Sequence, residues 1–392
     1  MHEEERIGVA KHVAFALVTV ALSVIACLVA AEIVLRFLPV ATGMWTLPVN
    51  AAHPVFRFTP DREFLFSRDW NFSLVNRGHV NNDGFVNDHD YAPNDSRPLL
   101  AVVGDSYVEA AMVPNAQTLY RRLGDKLGDN GRVYGFGMSG APLSQYLVWA
   151  QHAVQKYHAD GIAVVVVGND YDESLLSYNG RPGLHVYARD ADGHLRLHRN
   201  DYAPSPFRFV VRHSALGRYL VFNLEALETI KSLAARFGLV SAAHAAGPSP
   251  EPQAAETPAA GRRYVGNTEA AASAQRVRDS EEAIVAFFED LARMVPLPPD
   301  HIAFLLDGAR YESDRAAVEG SYFGLMRRRF MAEASARGHE VVDLQPRFLA
   351  LSADGRTRFE FPTDGHWSGT GHAVAAEALA ASKLYSTVFG GR

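Results

Sequence analysis

The chain has 392 residues, 48% hydrophobic and 21% charged, an ordinary globular balance that fits one large domain or two modest ones. Its 38 Lys and Arg against 44 Asp and Glu leave a net charge of -6. No long basic run or aromatic-interleaved basic stripe is present, which argues against nucleic acid as a partner, and the single cysteine, Cys27, excludes an intrachain disulfide framework and a paired-cysteine metal or redox site.

From Val13 to Ala31 the chain carries no charge for about 19 residues, close to what a bilayer-spanning helix requires. Glu32, Arg36 and Pro39 close the run. A signal anchor is the favoured reading, with residues 1–40 as cytoplasmic tail and anchor and residues 13–31 in the membrane. Cleavage near Val29-Ala30-Ala31 would instead make a signal peptide. Val24-Ile25-Ala26-Cys27 also resembles a lipoprotein cleavage box, although apolar residues continue beyond Cys27. Arg6 and Lys11 against Glu3, Glu4 and Glu5 set a weak positive-inside bias, which favours a periplasmic or extracellular location for the rest of the chain.

Residues 41–97 are rich in Asn, Asp, Pro and aromatics without helical periodicity, and read as an extended lead-in packing on the main domain. Residues 98–392 then alternate strand and helix. Apolar strands are expected at Leu99 to Val103, Val133 to Gly137, Ile162 to Val167, Ile302 to Leu306 and Val341 to Asp343. Helices are expected at Thr118 to Leu127, Pro142 to Lys156, Ser280 to Met294, Tyr322 to Arg337 and Gly371 to Tyr385. An insertion at about 173–275 interrupts the pattern with polar loops and helical patches such as Leu216 to Leu227, and its Ala/Pro-rich stretch 241–260 reads as a flexible linker. The alternation predicts a three-layer α/β/α sandwich around a parallel five-stranded sheet, with one N-terminal transmembrane helix.

Ligands of such a sheet bind beyond the carboxyl ends of its strands. Three polar, glycine-bearing clusters fall there: Gly104-Asp105-Ser106, Gly137-Met138-Ser139-Gly140 and Gly168-Asn169-Asp170. A fourth, Asp364-Gly365-His366-Trp367, precedes the final helix. In order and spacing the set resembles the SGNH (GDSL-type) hydrolase family, in its membrane-anchored bacterial form. The resemblance covers about residues 98–385 and implies the flavodoxin-like sandwich and a serine ester hydrolase without cofactor or metal. It implies Ser106 as nucleophile, His366 as base and Asp364 as its orienting acid. It also implies an oxyanion hole made by Ser106, Gly140 and Asn169. The chain departs from the family pattern in two places. Val167 stands where the third block usually begins with glycine, and one residue rather than two separates Asp364 from His366. That closer spacing with Trp367 resembles the Asp-x-His-Trp motif of bacterial polysaccharide O-acetylation proteins. In the alginate members the motif precedes the serine, whereas here it follows.

The chemistry fits these residue types. A serine hydroxyl needs an adjacent imidazole to take its proton, and a carboxylate to hold that imidazole's tautomer. Each remaining residue has a plainer reading. Asp105 reads as a carboxylate bonding the turn, Glu109 as a helix-start charge, Asp170 as a loop-backbone acceptor and His372 as a helix-start histidine outside any metal site. Asn81 to Phe85 reads as a turn, with a contribution to the pocket as the alternative. Trp367 reads equally as a pocket wall or as packing under the last helix. Arg327-Arg328-Arg329 reads as a solvated helix face. Gly135 to Gly140 fits a dinucleotide-loop spacing, but no acidic residue closes a suitable second strand, so no nucleotide cofactor is expected. The expected substrate is a small-molecule or carbohydrate ester, with an O-acetyl polysaccharide preferred by analogy. An O-acetyltransferase using the same site and a non-catalytic carbohydrate-binding or scaffold protein are the alternatives.

Overall fold

The computed structural model describes residues 2–226, 266, 268 and 270–390. The stretch 241–260, expected as a linker, lies outside the described residues. Helix α1 (His2–Leu35) contains a segment, Lys11–Leu35, long and apolar enough to cross a membrane, and none of that segment's most apolar window is covered by the protein.

The following residues form a hairpin rather than a purely extended segment. Strands β1 (Arg62–Arg68) and β2 (Leu74–Val80) pair antiparallel from Arg62 opposite Val80 to Arg68 opposite Leu74. Phe64, Val80, Phe85 and Tyr91 bury their rings and side chains in the main core, which explains the aromatic content of this stretch. The Asn81 carboxamide accepts from the backbone of Asp83 and Phe85, both at 3.1 Å, closing the turn.

Five wholly parallel strands follow: β3 (Leu99–Gly104), β4 (Arg132–Gly137), β5 (Gly161–Val166), β8 (Ile302–Leu306) and β9 (Glu340–Asp343). Their spatial order is β4-β3-β5-β8-β9, the flavodoxin-like order, so the chain reverses direction across the sheet between β3 and β5. Between β5 and β8 the insertion contributes the antiparallel hairpin β6 (His185–Arg189) and β7 (Leu195–Arg199), then short helices α5 (Pro206–His213) and α6 (Ala215–Arg218) and a π turn, Tyr219–Asn223. The helical patch expected from Leu216 to Leu227 is therefore broken, and Leu227 itself lies outside the described residues.

The inner strands are apolar throughout because both faces are covered. Alternate residues explain the two layers. Ala101, Val103, Val164, Val166 and Phe304 face α4 (Leu143–Tyr157), α7 (Ala274–Met294) and α9 (Tyr322–Ala336), which lies beyond α8 (Glu312–Glu319). Leu100, Val102, Ala163, Val165 and Leu305 face α2 (Ser106–Glu109), α3 (Leu119–Leu127), α10 (Gln345–Ser352), α11 (Gly369–Ala380) and α12 (Lys383–Phe389). The expected single helix from Gly371 to Tyr385 is two, because Ser382 accepts from the Tyr385 N–H at 3.1 Å and caps the second. Arg327 also departs from the expected solvated face. It is buried, donates to the Asp307 carbonyl at 2.8 Å and pairs with Asp343, while Arg328 and Arg329 are exposed.

Candidate active site

The strand ends place the polar clusters. β3 ends at Gly104, and the chain turns at once into α2, whose first residue is Ser106. Asp105 caps this turn by accepting from the Tyr107 N–H at 2.9 Å. Ser106 thus stands at the reversal point of the sheet, where the adjoining connections leave in opposite directions.

His366 comes from the far end of the chain, on the segment between the Glu360–Trp367 bridge and the Ser368 cap of α11. Its Nε2 lies 2.7 Å from Ser106 Oγ. Its Nδ1 is hydrogen-bonded to Asp364 Oδ1, which also accepts from the His366 backbone N–H at 2.9 Å. One intervening residue is therefore enough for a tight turn in which the carboxylate holds ring and backbone together. All three side chains are buried. Burial opposes ionisation of Asp364, but the His366 ring and the Arg68 guanidinium outweigh it and hold the carboxyl far below its usual range.

Arg68 escapes a reading of sequence. It projects from β1 and donates through Nη1 to Asp364 Oδ2 at 3.1 Å, while Nη2 pairs with Glu225. Asp307 and Arg310 form a second unforeseen support. Arg310 bonds Asp307 at 2.9 Å, the Gly365 carbonyl at 2.5 Å and the Tyr107 hydroxyl at 3.0 Å. Trp367 Nε1 donates to Asp307 at 3.2 Å, and its ring packs edge-on to Tyr107 at 5.0 Å between centroids. Trp367 is wholly buried, so packing beneath the His366 segment is its role. The only sequence cue to Asp307 and Arg310 was position, just beyond the carboxyl end of β8.

Glu109 lies in the first turn of α2, as expected of a helix-start charge. It is buried, and its two oxygens accept from the Ser139 N–H at 2.7 Å and the Ser139 hydroxyl at 2.9 Å. Burial lifts its pKa to about 7, against the lowering effect of those bonds. Arg181 Nη1 donates to the Ser139 carbonyl at 2.7 Å, so Ser139 is held on both sides. Gly140 follows with φ near 70°, a conformation that costs glycine little. Asn169, after β5, donates through Nδ2 to Glu173 Oε2 at 3.1 Å, and its Oδ1 is buried with no protein partner among the described residues. Glu173 is raised to about 8, first by burial and then by the neighbouring Asp172 charge. Asp170 accepts from the Val167 N–H at 2.7 Å and the Tyr146 hydroxyl at 2.6 Å, which ties down the loop carrying Asn169.

His372 stands apart from this group. Its Nδ1 accepts from the Leu119 N–H at 3.2 Å, and burial lowers its pKa to about 3, so it is neutral. The turn at Asn81 to Phe85 binds elsewhere too: Asp83 accepts from Arg57 at 2.9 Å, His152 at 2.7 Å and Lys156 at 2.5 Å, fastening the lead-in to α4. Among the described residues, Asp61, His79 and Asp90 bring potential metal-ligand atoms within 4.8 Å of one another on the exposed side of the lead-in, outside the Ser106 group.

No family model matches the chain, and no curated protein matches it. Solved structures similar to it include a member of the lipolytic G-D-S-L family from Veillonella parvula, at 10% identity and TM-score 0.34, covering 71% of this chain and 94% of that one. An acetyl xylan esterase is similar at 10% identity and TM-score 0.39, covering 72% and 97%. A carbohydrate acetylesterase family member from Sinorhizobium meliloti is similar at 10% identity and TM-score 0.35, covering 75% and 99%.

Proposed function

We propose that the chain is a membrane-anchored serine ester hydrolase working through an acyl–Ser106 intermediate. The observation that carries this reading is the continuous hydrogen-bond chain from Ser106 through His366 to Asp364. His366 Nε2 takes the hydroxyl proton as Ser106 Oγ attacks the ester carbonyl carbon. Asp364 accepts the Nδ1 hydrogen, fixes the tautomer and stabilises the imidazolium that forms. The imidazolium then returns its proton to the departing alkoxide, leaving the acyl group on Ser106. A water molecule, deprotonated by the same nitrogen, attacks the acyl carbon; the bond to Ser106 Oγ breaks, Nε2 returns the proton to that oxygen, and the acid leaves.

The Ser106 and Gly140 backbone N–H groups and the Asn169 amide take the role of oxyanion donors. Glu109 supports this assignment by pinning Ser139, immediately before Gly140. Glu173, neutral below about pH 8, sets no negative charge beside Asn169 at neutral pH. Helix α1 serves as a single-pass anchor with the catalytic domain on the periplasmic or extracellular side. An O-acetyl ester of a carbohydrate is the preferred substrate, a choice that rests on analogy with the family the sequence resembles and on the membrane anchor.

The test is hydrolysis of a chromogenic acetyl ester by the full chain in detergent, beside Ser106→Ala. Activity lost in the variant supports the nucleophile. Equal turnover by both proteins would remove Ser106 from the reaction. Acetate release that requires an added sugar acceptor would make the protein a transferase.

A further inference from the structure

Among the described residues, helix α5 is held to the protein by one side. On that side Arg208 is buried, donates to the Thr46 hydroxyl at 2.9 Å and lies over the Trp45 and Tyr202 rings, with Val211 buried beside it. The other side is apolar and bare: Phe207 is 51% exposed, Phe209 68% and Val210 62%. Phe37 and Trp70 are exposed further still, at 85% and 73%. Bare aromatic side chains in such number mark an interaction surface rather than ordinary solvent-facing positions.

The position of this surface relative to α1 identifies its partner. Glu32 accepts from the Ser214 hydroxyl at 2.9 Å and from the backbone N–H groups of Ala215 and Leu216 at 3.0 and 2.8 Å. These bonds clamp the α5–α6 junction to the last turns of α1. A groove there is lined by Ile25, Leu28, Val29 and Ile33 on one wall and by His213 and Leu216 on the other. Ile25 precedes Glu32 by seven residues, or about 10 Å along a helix axis. If α1 spans the bilayer, these side chains lie below the headgroups, and the junction facing them lies at the boundary itself.

We propose that α5, with Phe37 and Trp70, docks into the headgroup layer of the phospholipid bilayer that α1 crosses, and that acyl chains fill the groove beside α1. The proposal rests on the membrane-anchor reading given above. An amphipathic helix lying in the interface buries its aromatic and aliphatic face by about 5–10 Å, and exposed Arg212, in its last turn, sits where phosphates would meet it. The docked segment also reaches the candidate site. After α6, Asn223 donates to the Ser67 hydroxyl at 2.8 Å, and the next residue, Arg68, bonds Asp364. The site is thus built onto a segment lying at the lipid surface, which suits esters presented there.

The test uses the full chain carrying Cys27→Ala, reconstituted in phosphatidylcholine–phosphatidylglycerol vesicles. Nitroxides are placed singly through Phe209→Cys, Val210→Cys, Leu22→Cys and Arg196→Cys, and only variants that melt like the parent are read. The expected result is loss of collision with a water-soluble nickel chelate, and gain of collision with dissolved oxygen, at 209, 210 and 22 but not at 196. Labels at 209 and 210 that keep full nickel contact while 22 is lipid-embedded would overturn the docking and leave the anchor standing. Nickel contact at 22 would overturn the anchor, and the docking with it. Label-to-label broadening at 209 would seat a second copy on this face and overturn the lipid assignment.

Discussion

Two glutamates, Glu109 buried and Glu173 half-buried, show how single residues set the pH behaviour. Glu173 bonds the Asn169 amide and is raised to about 8 by burial and by Asp172. Below that pH it is a neutral acid. Above it, a carboxylate faces the group assigned to stabilise a negative oxygen. The acyl-transfer rate is therefore expected to fall with an apparent pKa near 8, and Glu173→Gln should keep the plateau but lose this alkaline limb. Stopped-flow rates from pH 6 to 10 check it; a limb that persists unchanged in the variant would assign the titration elsewhere. Glu109 acts on stability. Its folded pKa is about 7, against an ordinary glutamate value of 4.5. The folded state then binds more protons than the unfolded state between these values, so stability falls as pH rises through that window. The full penalty, on the order of 3 kcal/mol, is present above pH 7. Glu109→Gln keeps an acceptor for the Ser139 N–H and cannot ionise. It should be more stable than the parent at pH 8 relative to pH 5, as read by urea unfolding at both. Equal pH slopes for parent and variant would contradict the assignment.

At the scale of elements, α2 and the end of β4 approach closely at Gly137. A β-carbon on Gly137 would lie 2.6 Å from the Glu109 nitrogen and 2.8 Å from the Asp105 carbonyl oxygen, both backbone atoms of the Ser106 turn. Gly137→Ala should push that turn away from His366. A displacement of about 1 Å at reacting groups costs on the order of a hundredfold in rate. The expected outcome is a large loss of kcat with the far-ultraviolet dichroism retained; unchanged kcat would mean the turn is slack. The elements themselves were largely legible. Residues in strands buried on both faces read as unbroken apolar runs, and helices such as Leu119–Leu127 showed a clear apolar stripe. The hairpins β1–β2 and β6–β7 were not read from the sequence, because their strands are partly exposed and mix charged with apolar residues; at β6–β7 the Asp192-Gly193 pair, with φ near 84° at the glycine, was a usable turn cue. The short helices α2 and α8 carry too few turns to display a period.

For the molecule as a whole, the sequence exposes residues that share a local motif and conceals those joined only by folding. Ser106, Asn169 and His366 lie in recognisable blocks, whereas Arg68 sits 296 positions from Asp364 in a stretch read as lead-in. Its contact means that residues ahead of the sheet complete the support of the candidate acid. Asp364 stays ionised although burial opposes it, because His366 and Arg68 together outweigh desolvation. Arg68→Met keeps the apolar stem and removes the guanidinium. A hydrogen bond to a charged group is worth about 1.5–3 kcal/mol, and each 1.36 kcal/mol is tenfold in rate, so kcat should fall about tenfold to a hundredfold. The Asp364 pKa should also rise, because a cation that favours the carboxylate has gone. Activity present above that pKa and lost below it will then fail at a higher pH than in the parent. Arg68→Lys, which keeps one charge, should fall between the two in both readings. A pH–rate profile of all three proteins on a chromogenic acetyl ester measures this. A changed KM with kcat and the acid limb untouched would make Arg68 a contributor to pocket shape rather than a positioning residue for Asp364.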